Sequence, residues 1–185
     1  LAARKHLLCP AQSVSYANTD PLLVVRGRGS TLYDEAGRAF LDTRNNVAHV
    51  GHGHPRVAEA IGAQARALNT NTRYLHPNLT SLAARLLATF PAPLRDGVVF
   101  FVNSGSEAND LALRLVEARA WERRTAAAAG PCGVVVLDRA YHGHTRATIG
   151  LSPYKYEHAS FGPGTARPSW VERAAAPDTY RPPPG

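Results

Sequence analysis

The fold is decided by residues 98–116, whose sequence is VVFFVNSGSEANDLALRLV. Residues 98–102 are all apolar, which is typical of a short strand buried on both faces of a parallel sheet. The turn at 103–106 follows, and from Ala108 to Val116 apolar residues recur at helical spacing. A strand, a turn and a packed helix in this order predict the start of a βαβ unit.

A second buried strand is predicted further along the chain. Residues 133–138 are almost entirely apolar, and we expect them to lie parallel to 98–102 with a right-handed crossover between the two strands. Residues 125–130 are interpreted as a surface insertion, and no element is predicted after Ser160, where proline and glycine become frequent. This alternation of strand and helix predicts an α/β fold.

A small antiparallel meander is predicted ahead of this unit. Residues 22–26, 31–33 and 39–42 are β-prone, and glycine-containing turns separate them. The segment that follows, up to residue 54, is rich in glycine, histidine and asparagine, which is typical of a loop.

Helices are predicted between the meander and the sheet. The first begins at Pro55 and runs to Asn69, and the second has Asn78 as N-cap and ends before Pro91. The predicted parts are a meander and loop segment at 1–54, a helical connection at 55–97 and an incomplete large domain at 98–185.

The charge of the chain gives no sign of a nucleic-acid surface. Its 21 Lys+Arg against 14 Asp+Glu give a net charge of +7, but only Lys5 and Lys155 are lysines and the arginines are scattered. A nucleic-acid interface concentrates basic residues on one face. We therefore expect no nucleic-acid partner, whereas small anionic ligands are compatible with this charge.

Cysteine content and apolar runs bear on the compartment. Cys9 and Cys132 are too few for a disulfide framework, which favours a reducing compartment, cytoplasmic by default with mitochondria as the alternative. The longest apolar runs are far too short to span a bilayer, so no membrane association is predicted. The sequence contains no methionine, and we expect it to be a fragment or a processed piece.

Two segments are expected to meet beyond the carboxyl ends of the predicted parallel strands. At 103–106, the amino end of a helix offers backbone N–H groups and serine hydroxyls to a phosphate. At 138–144, an aromatic ring and imidazoles follow the second strand. A phosphate and a flat ring are the predicted ligand features. A plain N-cap, with Glu107 as its partner, is the alternative for the serine turn.

A histidine cluster raises the question of a metal site. His49, His52 and His54 lie close in sequence, with His142 and His144 as further candidate ligands. Zinc takes such imidazole ligands. The neighbouring glycines and the helix that follows favour a tight loop with hydrogen-bonded imidazoles instead, so no metal is predicted.

Several stretches of the sequence are characteristic of one protein family. They are NVAHVGHGHP at 46–55, LNTNTRYLH at 68–76, NSGSEANDLALRL at 103–115, AYHGH at 140–144, LSPYK at 151–155 and PDTYR at 177–181. In these stretches the chain resembles the class III pyridoxal-phosphate-dependent aminotransferases, and within them the branch of ethanolamine-phosphate phospho-lyase and 5-phosphohydroxy-L-lysine phospho-lyase. The resemblance implies the amino-terminal part of a fold-type I pyridoxal-phosphate-dependent transferase.

The resemblance implies a site for pyridoxal 5'-phosphate. The family holds the cofactor phosphate with a Ser-Gly-Ser turn, which here is Ser104, Gly105 and Ser106. It stacks the cofactor ring on the aromatic residue of a Tyr-His-Gly stretch, which here is Tyr141, with His142 close by. Helix-terminus reasoning and the resemblance thus indicate the same turn.

The resemblance also implies a substrate side and a dimer. The loop before the Gly-His-x-His-Pro stretch makes Asn45 and Asn46 substrate-side candidates. Arg73 is a candidate for binding a substrate phosphate, because a guanidinium matches that anion. Family sites are built at a homodimer interface, and the expected ligand is a phosphorylated small amine.

No catalytic residue of the family is assigned within this chain. The Schiff-base lysine and the aspartate that holds the pyridine nitrogen are expected beyond Gly185, and Lys155 lies outside the lysine motif. The resemblance implies a phospho-lyase that eliminates phosphate and ammonia from O-phosphoethanolamine or 5-phosphohydroxylysine. The alternatives are a conventional class III aminotransferase and a truncated, non-catalytic fragment or remnant.

Overall fold

A computed structural model describes residues 2–9, 21–44, 49–123, 133–157 and 167–180 of the chain. The chain forms two compact units, Leu1–Pro77 and Asn78–Gly185. Within the described residues, none of the helices has both the length and the apolar character that crossing a bilayer requires.

The first unit contains the predicted antiparallel meander. After helix α1 (Ala2–Leu7), a three-stranded sheet forms from β1 (Val24–Arg28), β2 (Thr31–Asp34) and β3 (Ala39–Leu41) in sequential order. Both strand pairs are antiparallel. The meander prediction is therefore confirmed, because glycine and aspartate turns join runs that pair with their nearest neighbours in sequence.

The first predicted helix is also confirmed. Helix α2 (Pro55–Ala67) has a proline in its first turn, where the fixed φ of proline suits a helix and no N–H is required. None of its residues is buried. The loop at 68–76 follows and connects α2 to the next helix.

The second predicted helix begins two residues earlier than expected, because Asn78 as N-cap would place its first residue at 79. Helix α3 (Pro77–Leu87) starts at Pro77, so Asn78 lies inside the helix and the prediction of Asn78 as N-cap is wrong. A proline needs no hydrogen-bond partner for its nitrogen at the first helical position, which lets the helix start there. A short helix α4 (Ala92–Arg95) follows.

The second unit pairs two parallel strands beside a long helix. Helix α5 (Gly105–Glu122) precedes β4 (Val134–Leu137), and the short helices α6 (Arg146–Ile149) and α7 (Pro153–Tyr156) come next. Strand β5 (Val171–Ala174) pairs in parallel with β4, with Val134 opposite Val171. The α/β prediction and the predicted strand at 133–138 are confirmed.

The predicted strand at 98–102 is wrong, and with it the expected βαβ unit built on that strand. These residues adopt no regular structure, and the side chains of Val98 and Phe100 are 85% and 61% exposed. A strand needs a neighbour for its backbone hydrogen bonds, and the only partner of β4 among the described strands is β5. The predicted insertion at 125–130 lies outside the described residues.

The core of the second unit lies on the β4–β5 pair. Val136, Leu151 and Val171 are buried, and Leu113 of α5 packs against them with Trp170. Other apolar residues of the expected α5 stripe, such as Leu115, remain half exposed. A pair of strands offers less surface than a wide sheet, so only part of the helix is covered.

Candidate functional site

The amino end of α5 is capped by its own side chains. Ser104 is the N-cap residue, and its Oγ accepts a hydrogen bond from the backbone N–H of Glu107 at 3.1 Å. The carboxylate of Glu107 in turn accepts the backbone N–H of Asn103 at 2.7 Å. The predicted capping role of Glu107 is confirmed, since its N–H, a donor that the helix start leaves open, bonds to Ser104 and its carboxylate bonds to the residue before the N-cap.

Two backbone N–H groups at this helix start remain available. Those of Gly105 and Ser106 have no acceptor within the described part of the chain. A side chain added at Gly105 would meet no atom within 4 Å, so the space above the turn is open. Free donors and the positive end of an 18-residue helix fit an anion such as a phosphate.

The second predicted segment follows β4 directly. The chain turns at Arg139, which has a φ of 63°, and then runs through 141–144, which we call the aromatic loop. Tyr141 is 53% exposed and contacts the ring of Tyr154 edge-on, with centroids 6.4 Å apart. Lys155 Nζ lies 5.6 Å from the centroid of the same ring, and the exposed part of the ring offers a surface on which a flat ligand can stack.

The structure brings the aromatic loop onto the start of α5, as the sequence predicts. Ser106 Oγ accepts the backbone N–H of His144 at 3.1 Å. The side-chain amide of Asn109 donates to the carbonyl of His142 at 2.8 Å. Hydrogen bonds thus join the segment predicted to bind a phosphate directly to the segment predicted to carry a flat ring.

A buried hydroxyl supports the aromatic loop from behind. Ser152 is fully buried, and its Oγ accepts the backbone N–H of His142 at 3.0 Å. The same Oγ lies 3.1 Å from the carbonyl oxygen of Gly143 and 2.9 Å from that of Thr148, either of which can accept its proton. The loop backbone is therefore held on two sides.

The side chain of His142 points a polar atom into the protein. Its Nε2 is buried, and no hydrogen-bond partner for it is found among the described residues. The ring lies beside Tyr141 in sequence, at the position for which the family resemblance implies a neighbour of the cofactor. A buried nitrogen without a partner is a group that a bound ligand or water could satisfy.

The histidine cluster of the first unit contains one strong pair. His52 Nε2 lies 2.6 Å from Asp42 Oδ2, and their side chains are only 19% and 8% exposed. His54 Nδ1 is buried without a hydrogen-bond partner in the described ranges, contrary to the expected bond. No group of three metal-ligating side chains occurs within the described residues.

The substrate-side candidates belong to another part of the chain than the residues of this site. Arg73 is an exposed residue of the 68–76 loop in the first unit, and its backbone N–H donates to Asn71 Oδ1 at 3.0 Å. Asn45 and Asn46 lie outside the described residues. Their proposed roles stay predictions.

A charged cleft of about 370 Å³ opens beyond the carboxyl end of β4. In it, the guanidinium of Arg173 lies 3.2 Å from Asp138 and also pairs with Glu157. Because Arg173 of β5 pairs with two residues that follow β4 in sequence, we assign these ion pairs a structural role in joining β5 to those segments.

Sequence reasoning missed three residues that hold the site together. Asn109 lies one helical turn after Ser106, and a polar residue amid the apolar spacing of α5 was a usable signal. Ser152 and Gly143 gave no such signal, because their contacts depend on how α6 and α7 fold back over the aromatic loop.

The sequence model of the family described as Aminotransferase class-III matches residues 11–183. A Drosophila melanogaster protein named "Alanine--glyoxylate aminotransferase 2-like" is 46% identical over 89% of this chain and 31% of its own length. A Caenorhabditis elegans protein named "Ethanolamine-phosphate phospho-lyase homolog 1" is 41% identical over 98% of this chain and 35% of its own length.

Solved structures agree with these relatives. A phospholyase from Arthrobacter, in complex with phosphoethanolamine, matches with a TM-score of 0.79 and 34% identity over 96% of this chain and 37% of that one. A PLP-bound amine transaminase from an uncultivated Pseudomonas species matches with a TM-score of 0.75 and 25% identity over 95% of this chain and 39% of that one. The chain spans about a third of the length of the relatives it matches.

The fold and the family predictions are both confirmed by these matches. The chain has the fold of the amino-terminal part of fold-type I pyridoxal-phosphate-dependent transferases. Since the family match covers nearly all of its residues, the chain belongs to the class III aminotransferase family.

Proposed function

We propose that this chain supplies the phosphate-binding and ring-binding segments of a pyridoxal-phosphate enzyme that removes phosphate and ammonia from a small phosphorylated amine. The observation that carries the proposal is the hydrogen bond between Ser106 and the aromatic loop. The chain is also similar, over 96% of its length, to a phospholyase that was solved in complex with phosphoethanolamine.

The turn at the start of α5 would hold the cofactor phosphate. The N–H groups of Gly105 and Ser106 are directed out of the helix start, and the Ser106 hydroxyl keeps a proton to donate while its oxygen accepts from His144. Ser104 Oγ accepts the N–H of Glu107, and its hydroxyl proton likewise stays available to donate. These donors suit a dianionic phosphate.

The aromatic loop would hold the cofactor ring. Tyr141 offers exposed aromatic surface for stacking, and His142 would lie beside the ring, with its Nε2 buried in the protein. When bound, pyridoxal phosphate supplies an electron sink that stabilises negative charge on the carbon next to the substrate nitrogen. The chain's own part is to orient that ring and to keep one of its faces covered.

The substrate and assembly assignments are part of the same proposal. Arg73 would bind the substrate phosphate through its guanidinium, and Asn45 and Asn46 would lie on the substrate side. The working protein would be a homodimer. We also propose a cytoplasmic location, with mitochondria as the alternative. The division of the chain into parts at 1–54, 55–97 and 98–185 is a further proposal.

A conventional aminotransferase is the second candidate. It is favoured by the 46% identity to the Drosophila melanogaster relative, whose name describes an alanine–glyoxylate aminotransferase. Such an enzyme passes the substrate nitrogen to a keto acid and releases no phosphate. The two candidates share the cofactor site and differ in the fate of the amine.

The test is a product assay on the purified protein, at the length that its source produces. With pyridoxal phosphate and O-phosphoethanolamine, or 5-phosphohydroxylysine, we expect equal amounts of phosphate and ammonia without an added keto acid. Nitrogen transfer from alanine to glyoxylate without phosphate release would overturn the lyase proposal in favour of the aminotransferase. Ser106→Ala should raise the half-saturating cofactor concentration, whereas Ser169→Ala, at an exposed turn, should not.

A further inference from the structure

One side chain of α5 links the phosphate-binding turn to the ring-binding loop. The amide Nδ2 of Asn109 donates to the carbonyl of His142 at 2.8 Å, across 33 positions of sequence. Asn109 lies one helical turn beyond Ser106, on the same face of α5. Asn109 itself belongs to neither segment, but it fixes the distance between them.

The same face of the helix makes a second bond to the loop. Ser106 Oγ accepts the N–H of His144 at 3.1 Å, so the two bonds reach the backbone on either side of Gly143. A Cβ at Gly143 would come within 2.9 Å of Ser106 Cα, which shows how closely loop and helix approach. The bond from Asn109 is the one nearer to Tyr141.

The loop cannot easily turn about this contact, because its other side is also bonded. The N–H of His142 donates to the buried Ser152 Oγ at 3.0 Å, while its carbonyl accepts from Asn109. The two bonds fix both peptide groups that flank the His142 Cα. The direction in which the chain enters from Tyr141 is thereby set.

We propose that Asn109 is a positioning residue, whose amide sets the orientation of the Tyr141 ring relative to the phosphate-binding turn at Ser106. The inference rests on the proposed cofactor site. Removing the amide leaves the phosphate donors on α5 unchanged, but it frees the carbonyl of His142 on one side. Binding of the whole cofactor should therefore weaken, while binding of a phosphate alone should not.

The side-chain chemistry identifies the informative substitutions. Alanine cannot donate, and it favours the helix more than asparagine does, so Asn109→Ala removes the bond without weakening α5. Glutamine keeps the donor amide on a side chain that is one methylene longer than that of asparagine. Glutamate is as long as glutamine, but its carboxylate cannot donate. Asn69→Ala, at an exposed position of the first unit, is the matched control.

The first measurement is ligand binding to the purified protein. Asn109→Ala should raise the dissociation constant of pyridoxal phosphate about 2- to 13-fold, the range expected for one net hydrogen bond. It should also change the visible circular dichroism of the bound cofactor, and the dissociation constant of inorganic phosphate should stay within about twofold. Asn109→Gln should recover much of the cofactor affinity, and Asn69→Ala should equal the wild type.

The second measurement needs no cofactor. Hydrogen exchange of the His144 amide, whose N–H donates to Ser106, should be about 2- to 13-fold faster in Asn109→Ala and unchanged in Asn69→Ala. If Asn109→Ala does not fold, the same two measurements are made on Asn109→Gln and Asn109→Glu. We then expect weaker cofactor binding and faster exchange of the His144 amide in Asn109→Glu, which lacks the donor, than in Asn109→Gln.

The outcomes separate this inference from the proposed function. Unchanged cofactor affinity and unchanged exchange in Asn109→Ala would overturn the positioning role. Equal weakening of pyridoxal phosphate and inorganic phosphate would also overturn it, because the effect would then lie at the phosphate turn. A wild-type protein that binds no pyridoxal phosphate would instead contradict the proposed function, and accelerated exchange would still support the contact of Asn109 with the loop.

Discussion

Gly143 lies against Ser106 with no room for a side chain. A Cβ at Gly143 would stand 2.9 Å from both the Cα and the Oγ of Ser106 and 2.6 Å from Thr148 Oγ1. The φ of Gly143 is 130°, a backbone conformation that residues with side chains rarely adopt. Close approach and backbone conformation both require glycine at the point where loop and helix meet.

Gly143→Ala is therefore expected to destabilise the protein by about 1–3 kcal/mol, the usual cost of a strained backbone conformation, and to weaken pyridoxal-phosphate binding. Denaturant unfolding and cofactor titration would measure the two effects. Gly133→Ala is the control, because a Cβ there meets only the carbonyl oxygen of Trp170 at 3.8 Å. Equal stability of the two variants would contradict the close contact.

Ser104→Ala removes the cap of α5. We expect a loss of about 0.5–2 kcal/mol in the free energy of unfolding, because the N–H of Glu107 loses its acceptor. Ser104→Gly should lose only a few tenths of a kcal/mol, since glycine is tolerated at an N-cap. Chemical denaturation of both variants measures this, and a larger loss for glycine than for alanine would refute the capping role.

Asp34 makes the stability of the first unit depend on pH. Its carboxylate is buried, and burial alone raises its pKa, but hydrogen bonds from Arg38 and Ala36 and the charge of Arg38 outweigh this effect and lower the pKa below 3.8. A lowered folded pKa means that the ionised form stabilises the fold. This contribution is present above pH 3.8 and is lost as the pH falls through the lower folded value.

Asp34→Asn should therefore destabilise the protein at neutral pH, and its difference from the wild type should shrink as the pH falls below 3.8. Thermal unfolding between neutral pH and the acid range would measure this. Asp96→Asn, at an exposed position, is the control for replacing an aspartate by asparagine. A difference for Asp34→Asn that stays constant over the whole pH range would refute the prediction.

The Asp42–His52 pair joins the loop at 49–54 to the end of the meander. Its atoms are 2.6 Å apart, and the backbone of His52 also exchanges two hydrogen bonds with Gly29. A double-mutant cycle with Asp42→Ala and His52→Ala should give a coupling energy of about 0.5–3 kcal/mol. His6→Ala, at an exposed position of α1, should give no coupling with Asp42→Ala.

The meander and α2 could be predicted because their signals are local. Glycine turns separate β-prone runs that pair with their neighbours in sequence, and Pro55 marks the first turn of a helix. Residues 98–102 had an equally clear apolar pattern, but a strand exists only with a partner, and composition carries no information about which strand lies beside it.

Strand β5 and the contacts within the site also depend on distant partners that a local sequence pattern does not reveal. Val171 to Ala174 carries two charged residues at its centre and lies where proline and glycine are frequent, so no strand was predicted. For the site, the sequence correctly predicted that the serine turn and the aromatic loop meet. The bond from Asn109 to His142 depends on the packing of α5 against distant segments, which no local pattern encodes.

The parallel pairing of β4 with β5 also bears on the order in which the chain folds. In the meander, Leu32 finds Phe40 after a short turn, so little chain entropy is lost on closure. Val134 must find Val171 across two helices and their connections before any bond of that ladder forms. Local pairings form faster than distant ones, so the meander is expected to fold first and the β4–β5 ladder, on which the aromatic loop depends, to limit the rate of folding.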